Sequence, residues 1–323
     1  MLGRSVLVTG SSGFIGGVLH RRFQELGFDT VGIGRRKIDL PGYISHDLQD
    51  PLPEGFGPFD VVVHAAARSS PWGSRHQFEV NNVEATRRLL DYCRLHGRPR
   101  FVFISSSSVY YRPGHQFDIT ETDPPAEKPV NRYAASKIQA EALVREYPGP
   151  WVILRPRAVF GPGDTVLFPR ILAAARAGRL PRLVSPDRPA VGDLIYIDNL
   201  IDMIVEAATR DDILGEFNLT NDQPIEIMGL LLDIFSRLSI PKPTRQVSTR
   251  SAMRFAALLE GIYGLLMPWR EPPITRFGVH VFAYSKTFDV TKMLNTFGRP
   301  KVSIETGVER LVDWIQSQNN EGN

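Results

Sequence analysis

A chain of 323 residues is long enough for one large domain or two modest ones, each burying a real core. Hydrophobic residues at 42 %, charged residues at 23 %, and 27 Gly and 25 Pro spread along the chain exclude a collagenous, low-complexity or wholly disordered polymer. The net charge of +3 comes with no basic block, so nucleic acid is not expected as a partner, while a small anionic ligand is easily accommodated.

The amino end passes almost directly into the apolar run Ser5–Val8, with Arg4 the only charge before it, so no targeting signal is expected. Further β-branched runs follow at Thr30–Ile33, Asp60–His64, Arg100–Ile104 and Trp151–Leu154, alternating with helical patterns over Phe14–Leu26, Gln77–His96 and Tyr133–Glu146. This alternation predicts an α/β fold: a doubly wound parallel sheet of Rossmann type with helices on both faces. Cys93, the single cysteine, sits in an apolar helical pattern with Leu89 and Leu90 and reads as a buried, inert thiol suited to a reducing cytosol.

After Arg155 the rhythm changes to a Pro/Gly-rich loop, a helix over Leu167–Ala177, a segment Val191–Ile197, a helix Asn199–Thr209, a strand Glu216–Leu219 and a helix Ile227–Leu238. The stretch Ala252–Trp269 is interrupted by Arg254 and Glu260 and reads as an amphipathic helix, one that either packs between domains or lies at a membrane surface. The expected division is a mainly dinucleotide-binding unit over residues 1–160. Residues 161–323 are expected to form mainly a smaller substrate-binding cap, with some strands and helices returning to the sheet.

Three patterns carry chemistry. The first is Thr9-Gly10-Ser11-Ser12-Gly13-Phe14-Ile15-Gly16, between a strand and a helix, where glycines allow a tight turn and close approach of a pyrophosphate to the helix N-terminus. The second is Gly34-Arg35-Arg36 at the end of the next strand. An acidic residue there would bind the ribose 2′-hydroxyl of NAD, whereas a guanidinium can grip the 2′-phosphate of NADP. NADP is favoured over NAD; the alternative is a solvated basic turn with Asp39 nearby. The third is Ser105-Ser106-Ser107-Ser108-Val109-Tyr110 followed by Tyr133-Ala134-Ala135-Ser136-Lys137. Tyr133 and Lys137 share a helix face, where an ammonium would lower the phenol's pKa and make it a usable general acid or base. Alone, such a pair is usually only a snorkelling lysine beside a tyrosine; with the glycine loop upstream it becomes specific.

Together these residues resemble the extended short-chain dehydrogenase/reductase superfamily (the NAD-dependent epimerase/dehydratase group) over almost the whole chain. The resemblance implies that Gly10, Ser12, Gly13, Phe14, Ile15 and Gly16 hold the pyrophosphate and that Arg35 and Arg36 meet the 2′-phosphate. It also implies that Asp47 and Leu48 contact the adenine, and that His64 with Ala65, Ala66 and Ala67 lies beside the nicotinamide ribose. Ser105, Pro156 and Val159, with Tyr133 and Lys137, complete the implied cofactor set, and the implied catalytic residues are Ser106, Tyr133, Lys137 and Asn82, the last in a proton relay. Within the superfamily the closer likeness is to the 3β-hydroxysteroid dehydrogenase and 2-alkyl-3-oxoalkanoate reductase group. Pro71-Trp72-Gly73, Pro272-Pro273-Ile274-Thr275-Arg276-Phe277 and Phe288-Asp289-Val290 followed by Val302-Ser303-Ile304-Glu305-Thr306-Gly307 carry it.

The expected activity is NADP-dependent interconversion of a ketone and a secondary alcohol on an apolar substrate, a long-chain 3-oxo acid or a sterol-like ring. The rivals are a nucleotide-sugar epimerase or dehydratase with tightly bound NAD, and a non-catalytic dinucleotide sensor. Seven histidines without clustered spacing give no metal site. Trp72, Phe160, Phe168 and Tyr263–Trp269 are candidates to line an apolar pocket, and Arg75 and Arg170 to meet a substrate carboxylate, although core and solvated surface are the ordinary fates of such residues. A cytoplasmic homodimer, with peripheral membrane contact as an open option, completes the expectation.

Overall fold

The apolar runs form strands buried on both faces, which is why they show no alternation in sequence. In the computed structural model, which describes residues 3–53, 55–184 and 188–321, seven strands make the central sheet. They are β1 (Ser5–Thr9), β2 (Asp29–Gly34), β3 (Tyr43–Ser45), β4 (Val61–His64), β5 (Arg100–Ile104), β6 (Trp151–Pro156) and β7 (Gly215–Leu219). Their order is β7-β6-β5-β4-β1-β2-β3, and every neighbouring pair is parallel. The chain therefore winds one way from β1 to β3 and the other way from β4 outward. That reversal opens a crevice at the carboxyl ends of β1 and β4.

Alternate residues of each strand feed two cores. Val6, Val8, Val61, Val63, Val102 and Ile104 pack with α1 (Phe14–Glu25) and the later helix Ile197–Thr209. Leu7, Val62, Phe101 and Phe103 pack on the opposite face with α2 (Ala85–Leu95) and α3 (Arg132–Arg145). Cys93 is buried in that second core, and burial pushes its thiol up to about 12.

The helix expected over Gln77–His96 is not continuous. A single turn at Arg75–Phe78 leads into a π-helical turn, Glu79–Glu84, before α2 begins. Such widened turns are frequent at functional sites, and this one carries Asn82. The segment expected over Val191–Ile197 is also split. Val191–Gly192 joins a four-stranded sheet with Ile225–Glu226, Lys286–Phe288 and Gln116–Ile119, whereas Ile195–Tyr196 pairs with Val159–Phe160. Between them Asp193 turns its carboxylate to accept the Phe288 N–H at 3.0 Å, which breaks the run.

Beyond the small sheet, α4 (Thr249–Leu266) and α5 (Arg276–Ala283) pack through Ala252, Ala256, Val279 and Ala283. Small residues allow close approach and leave little apolar surface to bury. Consequently much of α4 faces outward.

Candidate active site

A cleft of about 400 Å³ lies at the carboxyl ends of β1, β2 and β4, and the glycine loop forms its floor. Gly10 has φ +76, and a side chain there would begin 2.8 Å from the Ala66 nitrogen; one at Gly16 would begin 2.3 Å from the Gly10 carbonyl oxygen. Neither position tolerates a Cβ, so the loop folds flat against β4 and α1. Gly13 caps α1 with no side-chain hydrogen bond, which leaves the helix's first-turn N–H groups and positive dipole end for an anion. A pyrophosphate fits that cradle.

Gly10, Ser12, Gly13, Phe14, Ile15, Gly16, Arg35, Arg36, Asp47, Leu48, Ala65, Ala66 and Ala67 all line this one cleft. Asp47 is held by an Asx turn in which its carboxylate accepts the Gln49 N–H at 3.0 Å. Arg35 donates to the Asn81 side-chain oxygen at 3.0 Å, which steadies a guanidinium that remains exposed on its other side. A Cβ at Gly34 would begin 2.7 Å from the Ser12 hydroxyl oxygen and 3.0 Å from that of Tyr43, so a side chain at this strand end requires those hydroxyls to shift.

Ser105, Ser106, Tyr133, Lys137, Pro156 and Val159 are not among the residues that line this cleft. Ser105 is buried and donates to Glu141 at 2.5 Å, on the far side of the strand end from the cleft, because that carboxylate is the centre of a buried ionic cluster. Pro156 and Val159 continue the sheet and its short neighbour, outside the residues that line the cleft. His64 is wholly buried. Its Nδ1 accepts from Thr9 and its Nε2 donates to Thr86, an order fixed because the one Thr86 hydroxyl hydrogen is given to the Asn82 carbonyl and a neutral imidazole carries only one N–H. Burial, aided by the Lys137 charge, pushes this imidazole down to about 3, so it is a neutral strut aligning β1, β4 and the π turn.

Asn82 is likewise a brace. Its side chain accepts the Arg68 N–H at 2.7 Å and donates to Ser136 at 2.8 Å, and none of these bonds touches the Tyr133 phenol or the Lys137 ammonium. These bonds tie the Arg68 loop to α3, where Ser136 in turn donates to the Tyr133 carbonyl at 2.8 Å.

On α3, Asn131 caps the helix by accepting the Ala134 N–H, which fixes the turn carrying Tyr133. Burial raises the Tyr133 phenol above its ordinary pKa, and hydrogen bonds with Ser106 and Ser69 pull it back in part. Lys137 is one turn on and 2 % exposed; it donates to the Ile104 carbonyl at 2.7 Å and lies 4.6 Å from the centre of the Phe103 ring. Burial lowers it to about 7, against the pull of Glu141. The direction for Tyr133 is thus opposite to that expected from the helix spacing. Sharing a helix face did not decide which group the ammonium meets.

The apolar candidates divide. Phe160 and Phe168 are core, packed on each other at 6.1 Å. Trp72, three residues after the cleft-lining Ser69, donates from its indole to the Pro268 carbonyl at 3.2 Å. Leu265, Leu266 and Trp269 face outward. Arg170 pairs with Glu271 at 3.1 Å, and Arg75 is an exposed first residue of its short helix. Sequence reasoning missed Ser69, His46, Asn81, Thr165 and Val166, all of which line the cleft. His46 and Asn81 adjoin Asp47 and Asn82 and could have been found by neighbourhood; Thr165 and Val166 arrive from a distant loop with no local signal.

Topology, glycine cradle and the Ser106–Tyr133–Lys137 grouping define an NAD(P)-dependent dehydrogenase/reductase of the extended short-chain type. The chain belongs to the NAD dependent epimerase/dehydratase family, whose model matches residues 6–219. It is 33 % identical to a 2-alkyl-3-oxoalkanoate reductase of Stenotrophomonas maltophilia over 95 % of this chain and 98 % of that one. It is 29 % identical to 3beta-hydroxysteroid-dehydrogenase/decarboxylase isoform 1 of Arabidopsis thaliana over 84 % of this chain and 66 % of that one. In fold it matches UDP-glucuronic acid 4-epimerase from Bacillus cereus with a TM-score of 0.72, at 22 % identity and over 97 % and 99 % of the two chains.

Proposed function

We propose that the protein is an NADP-dependent ketoreductase that interconverts a ketone and a secondary alcohol on an apolar substrate, a long-chain 3-oxo acid being favoured over a sterol-like ring. The observation that carries the reading is the Tyr133 phenol set near Ser106 and the cleft-lining Ser69, with Lys137 buried one turn away on the same helix. The similarity to an oxoalkanoate reductase over nearly the full length of both chains supports the substrate class.

When bound, the nicotinamide supplies or accepts the hydride. Tyr133 delivers the proton to the carbonyl oxygen, and a phenol raised by burial is fully protonated at neutral pH, as an acid in the reductive direction must be. Ser106 hydrogen-bonds the same oxygen as negative charge grows on it. Lys137, lowered to about 7 by burial and held on the Ile104 carbonyl, would supply a positive charge beside the nicotinamide ribose. Arg35 and Arg36 hold the 2′-phosphate, which a carboxylate at position 34 would have repelled.

Each methylene buried is worth about 0.8 kcal/mol, so lengthening a 3-oxo substrate by two carbons raises kcat/KM roughly tenfold for as long as the added carbons are buried. Steady-state rates over a chain-length series read this directly. A flat series, with activity on a UDP-sugar instead, would establish the epimerase reading.

Cofactor choice is tested by Arg35→Ala, which is expected to weaken NADPH by about 1.5–3 kcal/mol, one charged hydrogen bond, and NADH hardly at all. Fluorescence titration of both cofactors measures it; tighter binding of NADH by the unaltered protein would reject NADP. Position 34 is a poorer probe, since the Gly34→Asp side chain would also displace Ser12 and Tyr43.

A further inference from the structure

Six of the thirteen large hydrophobic side chains exposed among the described residues fall on one short stretch: Phe255, Leu258, Ile262, Leu265, Leu266 and Trp269, between 39 % and 82 % exposed. The others are scattered along the chain, as is usual for soluble surfaces. Phe255, Leu258, Ile262, Leu265 and Leu266 recur at helical spacing on α4, with Trp269 three residues past its end, and form a stripe turned away from Ala252 and Ala256, which bury against α5. A contiguous apolar patch of this kind marks an interaction surface.

The charges around the stripe say what covers it. Between Thr244 and Arg270 the chain carries Arg245, Arg250, Arg254 and Arg270 but only one acid, Glu260. That acid is taken by Arg276, whose guanidinium lies 2.6 Å from it. Among the described residues, Arg250, Arg254 and Arg270 have no ion-pair partner. An apolar stripe flanked by unpaired cations, with a tryptophan at its end, is complementary to an anionic lipid surface. At 18 residues α4 holds Arg254 and Glu260 within it, and no helix among the described residues is long and apolar enough to cross a membrane.

The stripe also adjoins the candidate active site. A Cβ placed on Gly264 of α4 would begin 4.0 Å from the Trp72 ring, and Pro268 accepts the Trp72 indole N–H. The Trp72 loop in turn is tied to α3 by Arg132, which donates to the Gly73 carbonyl at 2.7 Å, one residue before Tyr133.

We propose that the exposed face of α4 docks in the plane of an anionic lipid bilayer and presents the Trp72 loop beside the active site to that surface. An apolar substrate then reaches Tyr133 from the bilayer without crossing water. The delivery role rests on the ketoreductase reading; the docking does not.

Co-sedimentation of the full chain with vesicles tests it. Three arginines at an anionic surface are expected to raise the partition coefficient on the order of 10²-fold for phosphatidylcholine vesicles containing phosphatidylglycerol over phosphatidylcholine alone, an excess that added salt removes. The double variant Phe255→Glu with Leu258→Glu should fall to background while still reducing a short, water-soluble 3-oxo ester at the unaltered rate. Equal sedimentation with both lipids, or binding unchanged in the double variant, overturns the docking. Light scattering gives the remaining outcome: a dimer that the same substitutions dissociate makes a second copy of the chain the occupant, and the proposal fails. Because sedimentation needs no substrate, failure of docking with intact ketone reduction is distinguishable from failure of the reductase reading.

Discussion

Replacing Tyr133 by phenylalanine is expected to lower turnover by on the order of 10²-fold or more while leaving dinucleotide affinity within about twofold, as loss of a general acid should. The substitution keeps the ring, including its 6.5 Å packing on Phe78, and removes only the hydroxyl that meets Ser106 and Ser69. Ser106 remains to polarise the carbonyl, so the residual rate measures what hydrogen bonding alone achieves. The result separates a tuned proton donor from a structural tyrosine, and it also separates an enzyme from a dinucleotide sensor. Turnover by the phenylalanine variant equal to that of the unaltered protein would remove Tyr133 from the chemistry.

Glu141→Ala is expected to cost about 3–5 kcal/mol of folding stability, the range for breaking a buried ion pair from one side. Glu141 is wholly buried on α3 and accepts four hydrogen bonds: from Ser105, two from Arg155 at 2.9 and 2.7 Å, and from Arg145 at 2.8 Å. Burial opposes the Arg155 charge, yet the Glu141 carboxylate outweighs it and holds the guanidinium above its usual pKa. Without that carboxylate, Arg155 is left 1 % exposed with Glu216 as its remaining anionic partner. Glu141→Gln should cost less, because it keeps the shape and one acceptor. Urea unfolding of the three proteins decides the matter, and a loss under about 1 kcal/mol for the alanine variant would mean that Glu216 suffices to hold the charge.

The two sites are linked. Ser105 hands its hydroxyl to Glu141 and its neighbour Ser106 turns toward Tyr133, so the ionic cluster fixes the strand end from which the reacting oxygen is held. The resemblance told the two serines apart, but nothing in a run of four named Glu141 as the partner of Ser105. Both partners sit on α3, eight residues apart, so the two adjacent hydroxyls just beyond the end of β5 reach different turns of one helix.

What the sequence determined by itself is what short-range geometry dictates. Gly10, Gly13 and Gly16 belong to one strand–turn–helix unit, so their spacing alone places them at a helix N-terminus, and the run of strands and helices implies a parallel sheet through the handedness of its crossovers. The missing carboxylate at Gly34 and the arginines after it are likewise local facts. The tertiary structure decided everything that depends on which distant segments meet. It split the expected helix at Glu79–Glu84 so that Asn82 braces Arg68 against Ser136; it gave Tyr133 the hydroxyl of Ser69 and gave Lys137 the Ile104 carbonyl. It also turned Phe255 and Leu258 to the outside. The physical reason is the same in each case. Helical period fixes the direction of a side chain relative to its own axis, but its hydrogen-bond partner and its dielectric surroundings are set by the element packed opposite, which comes from tens of residues away.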